Sequence, residues 1–259
     1  MLKLIKYELI GKYKAFGILV AIAVILNLAL MSRLEVWPNA AIVFLSFFIL
    51  GLAGVVLLIW CINLFSQDLY DDKGYLTYTL PQKGYSILGS KLIVSLIFYI
   101  IIYIITGLFI VYFIGREVNI QMELDSLGIG LSITKLFIIA LISMCIQAVT
   151  LLMGIYFAIS LTRMAITKKR GGKFAAFIVF IIISIINGLI TDGLQHLFPQ
   201  KISFNVINGF KVNMSSAGSD LLFNSGIIAF NISAIIFGIV IFWVWFFLTS
   251  YIIENKVDL

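Results

Sequence analysis

Apolar residues run along this chain in six long blocks separated by polar stretches. The blocks cover about Ala15–Met31, Ala40–Phe65, Leu92–Ile114, Leu136–Leu161, Phe174–Ile190 and Gly226–Ile253. Each meets or approaches the length of about 20 apolar residues that a helix needs to cross a bilayer's hydrocarbon core. None alternates with period two as a barrel strand would, and none carries a charge in its interior. A helix also satisfies its backbone N–H and C=O groups internally, which contact with lipid demands. The pattern predicts an all-α membrane protein, a single transmembrane domain over residues 1–259 with six transmembrane helices.

The first fourteen residues differ from the blocks. Leu2, Ile5, Leu9 and Tyr13 recur at spacings of three and four, with lysines alongside. Such a stripe predicts an interfacial helix over 1–14, its lysines toward anionic lipid. A plain topology signal is the other reading. A basic start before an apolar block also resembles a signal peptide. Met31-Ser32-Arg33 is too bulky and basic for a cleavage site, so the first span is expected to be retained.

Composition supports the membrane reading. Only 12% of the 259 residues are charged and 62% are hydrophobic, against about 25% charged in soluble domains. The net charge of +6 sits between the blocks, so it reads as a topology signal, and no nucleic-acid partner is expected. Lys3, Lys6, Lys12, Lys14, Lys73, Lys83, Lys91, Arg163, Lys168, Lys169, Arg170, Lys173 and Lys256 fall on one side. Arg33, Arg116, Lys135, Lys201 and Lys211 fall on the other. The richer side belongs in the cytoplasm. A multi-pass protein of the plasma membrane follows, both termini cytoplasmic, with residues 191–225 as an extracellular loop.

Missing chemistry narrows the function. The chain has no Gly-x-x-x-x-Gly-Lys-Ser/Thr loop for ATP. Its single histidine, His196, supplies neither a zinc site nor a Ser-His pair. Cys61 and Cys145 lie inside apolar blocks and read as packing residues. No catalytic, cofactor or metal site is expected in this chain. Ion coupling would call for ionisable groups within the membrane; the blocks offer neutral Asn27, Thr106, Gln147, Ser184, Asn187 and Asn231 instead. Such residues serve helix packing or face a substrate pathway.

The stretch between the second and third blocks, residues 66–90, is too long for a minimal turn. Tyr70, Tyr75, Tyr78 and Tyr85 are interleaved there with Asp68, Asp71, Asp72, Lys73 and Lys83. Tyrosines among charges suit a protein contact, where each ring gives area and a polar tip. The aspartates suit a helix start or a basic partner surface. Headgroup anchoring accounts for single tyrosines but less well for the whole stretch.

The pattern Phe65…Asp68-Leu69…Lys73-Gly74-Tyr75-Leu76…Leu80-Pro81…Leu88…Lys91 resembles that of permease subunits of bacterial type-2 ABC exporters. The lysine-rich start, the six spans and the long outer loop before the last span fit the same family. The resemblance implies an elbow helix at 1–14 and a cytoplasmic coupling helix within 66–90. It implies a second copy of the permease and a separate ABC-type ATPase subunit holding ATP and magnesium. Asp68, Tyr70, Asp71, Lys73, Tyr75, Leu76 and Tyr78 would meet that ATPase. Compact permeases of this kind include exporters of antimicrobial or cytolytic peptides, which points to an amphipathic peptide or hydrophobic compound as cargo. Asn27, Phe44, Phe47, Phe48 and Asn187 are the candidate pathway residues. Lipid-facing walls have the same apolar composition. The alternatives are a non-transport membrane scaffold or assembly factor and, last, an intramembrane enzyme.

Overall fold

A computed structural model describes residues 2–70, 84–116, 133–165, 172–205, 211–215 and 227–255. Its helices are α1 (Leu2–Met31), α2 (Asn39–Tyr70), α3 (Gly84–Gly115), α4 (Ile133–Ala165), α5 (Gly172–Leu197) and α6 (Ile232–Asn255). Strands β1 (Lys201–Asn205), β2 (Lys211–Ser215) and β3 (Ile227–Asn231) lie between α5 and α6. All six helices are long and apolar enough to cross a membrane, and the chain is a multi-pass membrane protein.

The helices alternate in direction. Leu2 and Asn255 share one end of the bundle, termed proximal, and the strands mark the distal end. α3 is the hub, packed against α1, α2, α4 and α6. Its most apolar window is 44% buried, against 6% for those of α5 and α6. α5 leans mainly on α4 and α6. Its outer face presents Phe177, Ile181, Ile185 and Leu189, as an apolar solvent allows.

Several boundaries differ from the sequence reading. The expected elbow at 1–14 is not a separate element, because α1 runs unbroken for 30 residues. No proline interrupts it, and Ile5 and Leu9 pack against the bundle core instead of a lipid surface. At 1.5 Å per residue α1 is about 45 Å long, longer than the hydrocarbon core of about 30 Å, so its proximal turns extend beyond that core. Around the expected loop 66–90, α2 continues to Tyr70 and α3 starts at Gly84. The intervening residues 71–83, which would include most of the coupling helix, lie outside the described residues.

The segment 191–225 is not simply a loop: three short strands lie beside the six long helices. α5 extends to Leu197, carried past the apolar block by a polar stripe of Ser184, Asn187, Thr191 and Gln195 at helical spacing. It stops ahead of Pro199, which cannot continue a helix. The strands form an antiparallel sheet in the order β2-β1-β3, with Lys201 opposite both Ser215 and Asn231. The sixth span therefore begins at Ile232, not Gly226. Asn231 caps it: its Oδ1 accepts from Ser233 N–H at 2.9 Å, satisfying an otherwise open helix-start donor. Asn231 Nδ2 donates to Phe198 O at 3.2 Å, tying α6 back to the end of α5.

Candidate functional site

α2 ends at Tyr70 and α3 begins at Gly84, so both neighbours of segment 71–83 lie at the proximal end of the bundle. Ser86 through Leu92 are consecutive buried residues on α3. A helix packed on one side buries a stripe; burial all round requires neighbours on every side. α1, α2, α4 and α6 provide them. On α2 the facing residues Cys61, Leu64, Phe65, Ser66 and Leu69 are also buried.

Lys91 is the centre of this brace. Its side chain is 2% exposed and pairs with Glu8 of α1 at 3.3 Å, whose own side chain is 18% exposed. The same ammonium donates to Leu64 O of α2 at 2.9 Å. One cation thus joins three helices. A buried ammonium is costly unless it is paired and hydrogen-bonded, and here it is both. Lys91, counted in the sequence among the basic residues of one side, has its four-carbon stem within the core and its charge met by a carboxylate.

A second chain of contacts runs one turn further along α3. Ser95 Oγ donates to Lys91 O at 2.8 Å and lies 3.5 Å from Tyr156 OH of α4. Tyr156 OH donates to Cys61 O of α2 at 3.0 Å. Its ring stacks on Phe65 with centroids 4.2 Å apart. Tyr156→Phe keeps the stack and removes the interhelical bond, so a loss of about 0.6–1.7 kcal/mol is expected. A thermal unfolding midpoint equal to wild type would show that the hydroxyl contributes nothing.

α6 closes the site. Gly84 N–H donates to Glu254 Oε2 at 3.4 Å, which places a carboxylate at the positive end of α3. Gly84 has no room for a side chain, because a Cβ would lie 2.6 Å from Ser250 O. Every element here holds position. Among the described residues no group of His, Cys, Asp and Glu could hold a metal ion.

Of the expected partner-contact residues, Asp68 and Tyr70 lie in the last turn of α2. Asp71, Lys73, Tyr75, Leu76 and Tyr78 lie outside the described residues. The expected pathway residues are not brought together within one chain. Asn27 is fully buried, while Phe44 is 70% exposed on the outer face of α2 with Phe47 and Phe48. Asn187 is on α5, which packs mainly on α4 and α6. Sequence reasoning missed Glu8, Ser95 and Tyr156 as members of a site. One signal was present: Glu8 is the sole acidic residue before Glu35 in a lysine-rich start. Comparisons with protein-family models, with curated proteins and with solved structures each return no match for this chain.

Proposed function

We propose that this chain is the permease subunit of an ATP-driven exporter in the plasma membrane, paired with a second copy and with a separate ABC-type ATPase. The observation that carries this reading is the bracing of Tyr70 and Gly84, the ends of the two helices on either side of segment 71–83 in the sequence. Lys91, Glu8 and Leu64 clamp these two helices to α1, and Tyr156 and Glu254 connect them to α4 and α6. A force applied to this segment would reach most of the bundle at once. Its tyrosines and aspartates suit a protein partner, and a chain without a P-loop needs its energy from elsewhere. ATP and magnesium belong to that partner. The lysine-rich proximal end faces the cytoplasm in this reading, and cargo is an amphipathic peptide or hydrophobic compound.

Two measurements test it. Protein purified from its native membrane in mild detergent is expected to carry a P-loop ATPase, identified by mass spectrometry. With that complex in liposomes, Tyr75→Asp and Leu76→Asp together are expected to abolish coupling: ATP turnover persists at its basal rate and cargo no longer stimulates it. A variant pair that transports as well as wild type would place the coupling elsewhere. A membrane scaffold would show no cargo-stimulated turnover even with the wild-type chain.

A further inference from the structure

The buried core shared by α1, α2 and α3 falls into two clusters, with Ile49 packed against both. A large apolar cluster includes Ala23 and Ile102; a smaller one, nearer the distal end, joins Leu30, Ile42 and Phe113. Between them each helix contributes a buried polar residue: Asn27 at 0% exposure, Ser46 at 1% and Thr106 at 0%. These residues sit in the same helical series as their apolar neighbours, with Asn27 between Ala23 and Leu30 on α1. Ser46 follows Ile42 on α2, and Thr106 follows Ile102 on α3.

Register places Asn27 and Ser46 at one height. α1 and α3 run parallel, with Glu8 paired to Lys91 and Phe16 stacked on Phe98. α2 runs the other way, its Leu64 O bonded to Lys91 and its Gly54 O to Tyr99. Extending both sets of pairings at about 1.5 Å per residue brings Asn27 and Ser46 level within about one turn. Thr106 lies roughly a turn nearer the proximal end by the same construction.

The hydrogen-bond account at this layer does not close among the described residues. Asn27 Nδ2 donates to Ala23 O at 2.8 Å, and Thr106 Oγ1 donates to Ile102 O at 2.7 Å. Asn27 Oδ1 and Ser46 Oγ are buried and make no hydrogen bond among the described residues. A polar atom enclosed in a dry apolar core costs free energy, and native proteins commonly satisfy such atoms with buried water. One atom is a pure acceptor and the other can donate or accept, a pair that one water can serve. A metal cation fits poorly: α1 beyond Glu8, α2 before Asp68 and all of α3 contain no carboxylate to offset its charge.

We propose that the layer between the two clusters is a water-binding site, in which one enclosed water donates to Asn27 Oδ1 and accepts from the Ser46 hydroxyl. The water completes a polar layer that separates the distal ends of α1–α3 from the braced proximal core.

A double-mutant cycle tests this on the full chain in detergent micelles, read as the thermal unfolding midpoint. Asn27→Leu alone and Ser46→Ala alone are each expected to lower the midpoint by several degrees, since each strands the other polar atom. The double variant is expected to regain most of that loss, because replacing both partners by apolar groups is nearly neutral. Thr106→Val, whose hydroxyl is already satisfied, should add its own shift independently. Should a single variant fail to fold, a folded double variant supports the shared site and an unfolded one overturns it. Additive losses in the double variant overturn it as well. So does a wild-type midpoint that rises when sodium replaces choline at constant ionic strength while that of Ser46→Ala does not, which would identify a cation site.

Discussion

Replacing Lys91 with methionine is expected to destabilise the folded protein by about 3–5 kcal/mol, the usual cost of removing one partner from a buried ion pair. The reason lies in what remains. Glu8 keeps its carboxylate on the bundle but loses the cation 3.3 Å away, and Leu64 O loses its side-chain donor. Glu8→Gln should cost less, because the 18% exposure of Glu8 gives its side of the pair some access to water. In the reverse case Lys91 still donates to Leu64 O. Lys91→Met combined with Glu8→Leu should recover much of the loss, since an apolar replacement of a whole buried pair is often neutral or better. Unfolding midpoints of the four proteins in detergent, with the folded fraction by gel filtration, measure this. A Lys91→Met protein as stable as wild type would show that the clamp does not hold the helices. In the proposed complex with its ATPase, the same variant should weaken cargo stimulation more than Glu8→Gln does, because the former releases α1 and α2 together.

The spans were readable because hydropathy and membrane crossing are governed by the same property, transfer of side chains out of water. Their ends were less so. Lys91, Ser86 and Ser90 put the start of α3 ahead of the expected third span, since a polar residue is ordinarily outside. Lys91 is inside because an acid from α1 and a carbonyl from α2 meet it, and no local pattern around residue 91 records either partner. The stripe of Ile5 and Leu9 was visible too, but a stripe does not say whether lipid or protein covers it; here the core does. The strands are a different case. Lys201-Ile202-Ser203-Phe204-Asn205 and Lys211-Val212-Asn213-Met214-Ser215 both alternate strictly, with Asn208-Gly209 between them. That is a hairpin signal in its own right, lying in a stretch too polar and too short to read as a membrane span. Of the candidate site, the aromatic and acidic character of 66–90 was legible. The brace beneath it was not, because it depends on pairings between helices far apart in sequence.

Gly84→Val is expected to separate α3 from α6 at the proximal end and to destabilise the protein by about 1–3 kcal/mol, the range for forcing extra carbons into a packed contact. The first added carbon would lie 2.6 Å from Ser250 O and 3.3 Å from Ser250 Oγ. The nearer of these is backbone within α6, so a rotamer change cannot relieve the clash. The helices must move apart, and the bond from Gly84 N–H to Glu254 Oε2, already 3.4 Å long, lengthens with them. The start of α3 then loses a carboxylate that favours its positive end. Gly84→Ala meets the same backbone oxygen with its single carbon and should show most of the effect. Gly51→Ala is the control: nothing lies within 4 Å of its added carbon, and alanine is the better helix former, so the midpoint should hold or rise. Equal midpoints for Gly84→Val and wild type would mean that α3 and α6 do not meet this closely. The contact also bears on the proposed coupling, because Gly84 is where segment 71–83 enters α3. If that segment seats an ATPase, loosening its return point should reduce ATPase retention during purification, whereas Gly51→Ala should retain it fully.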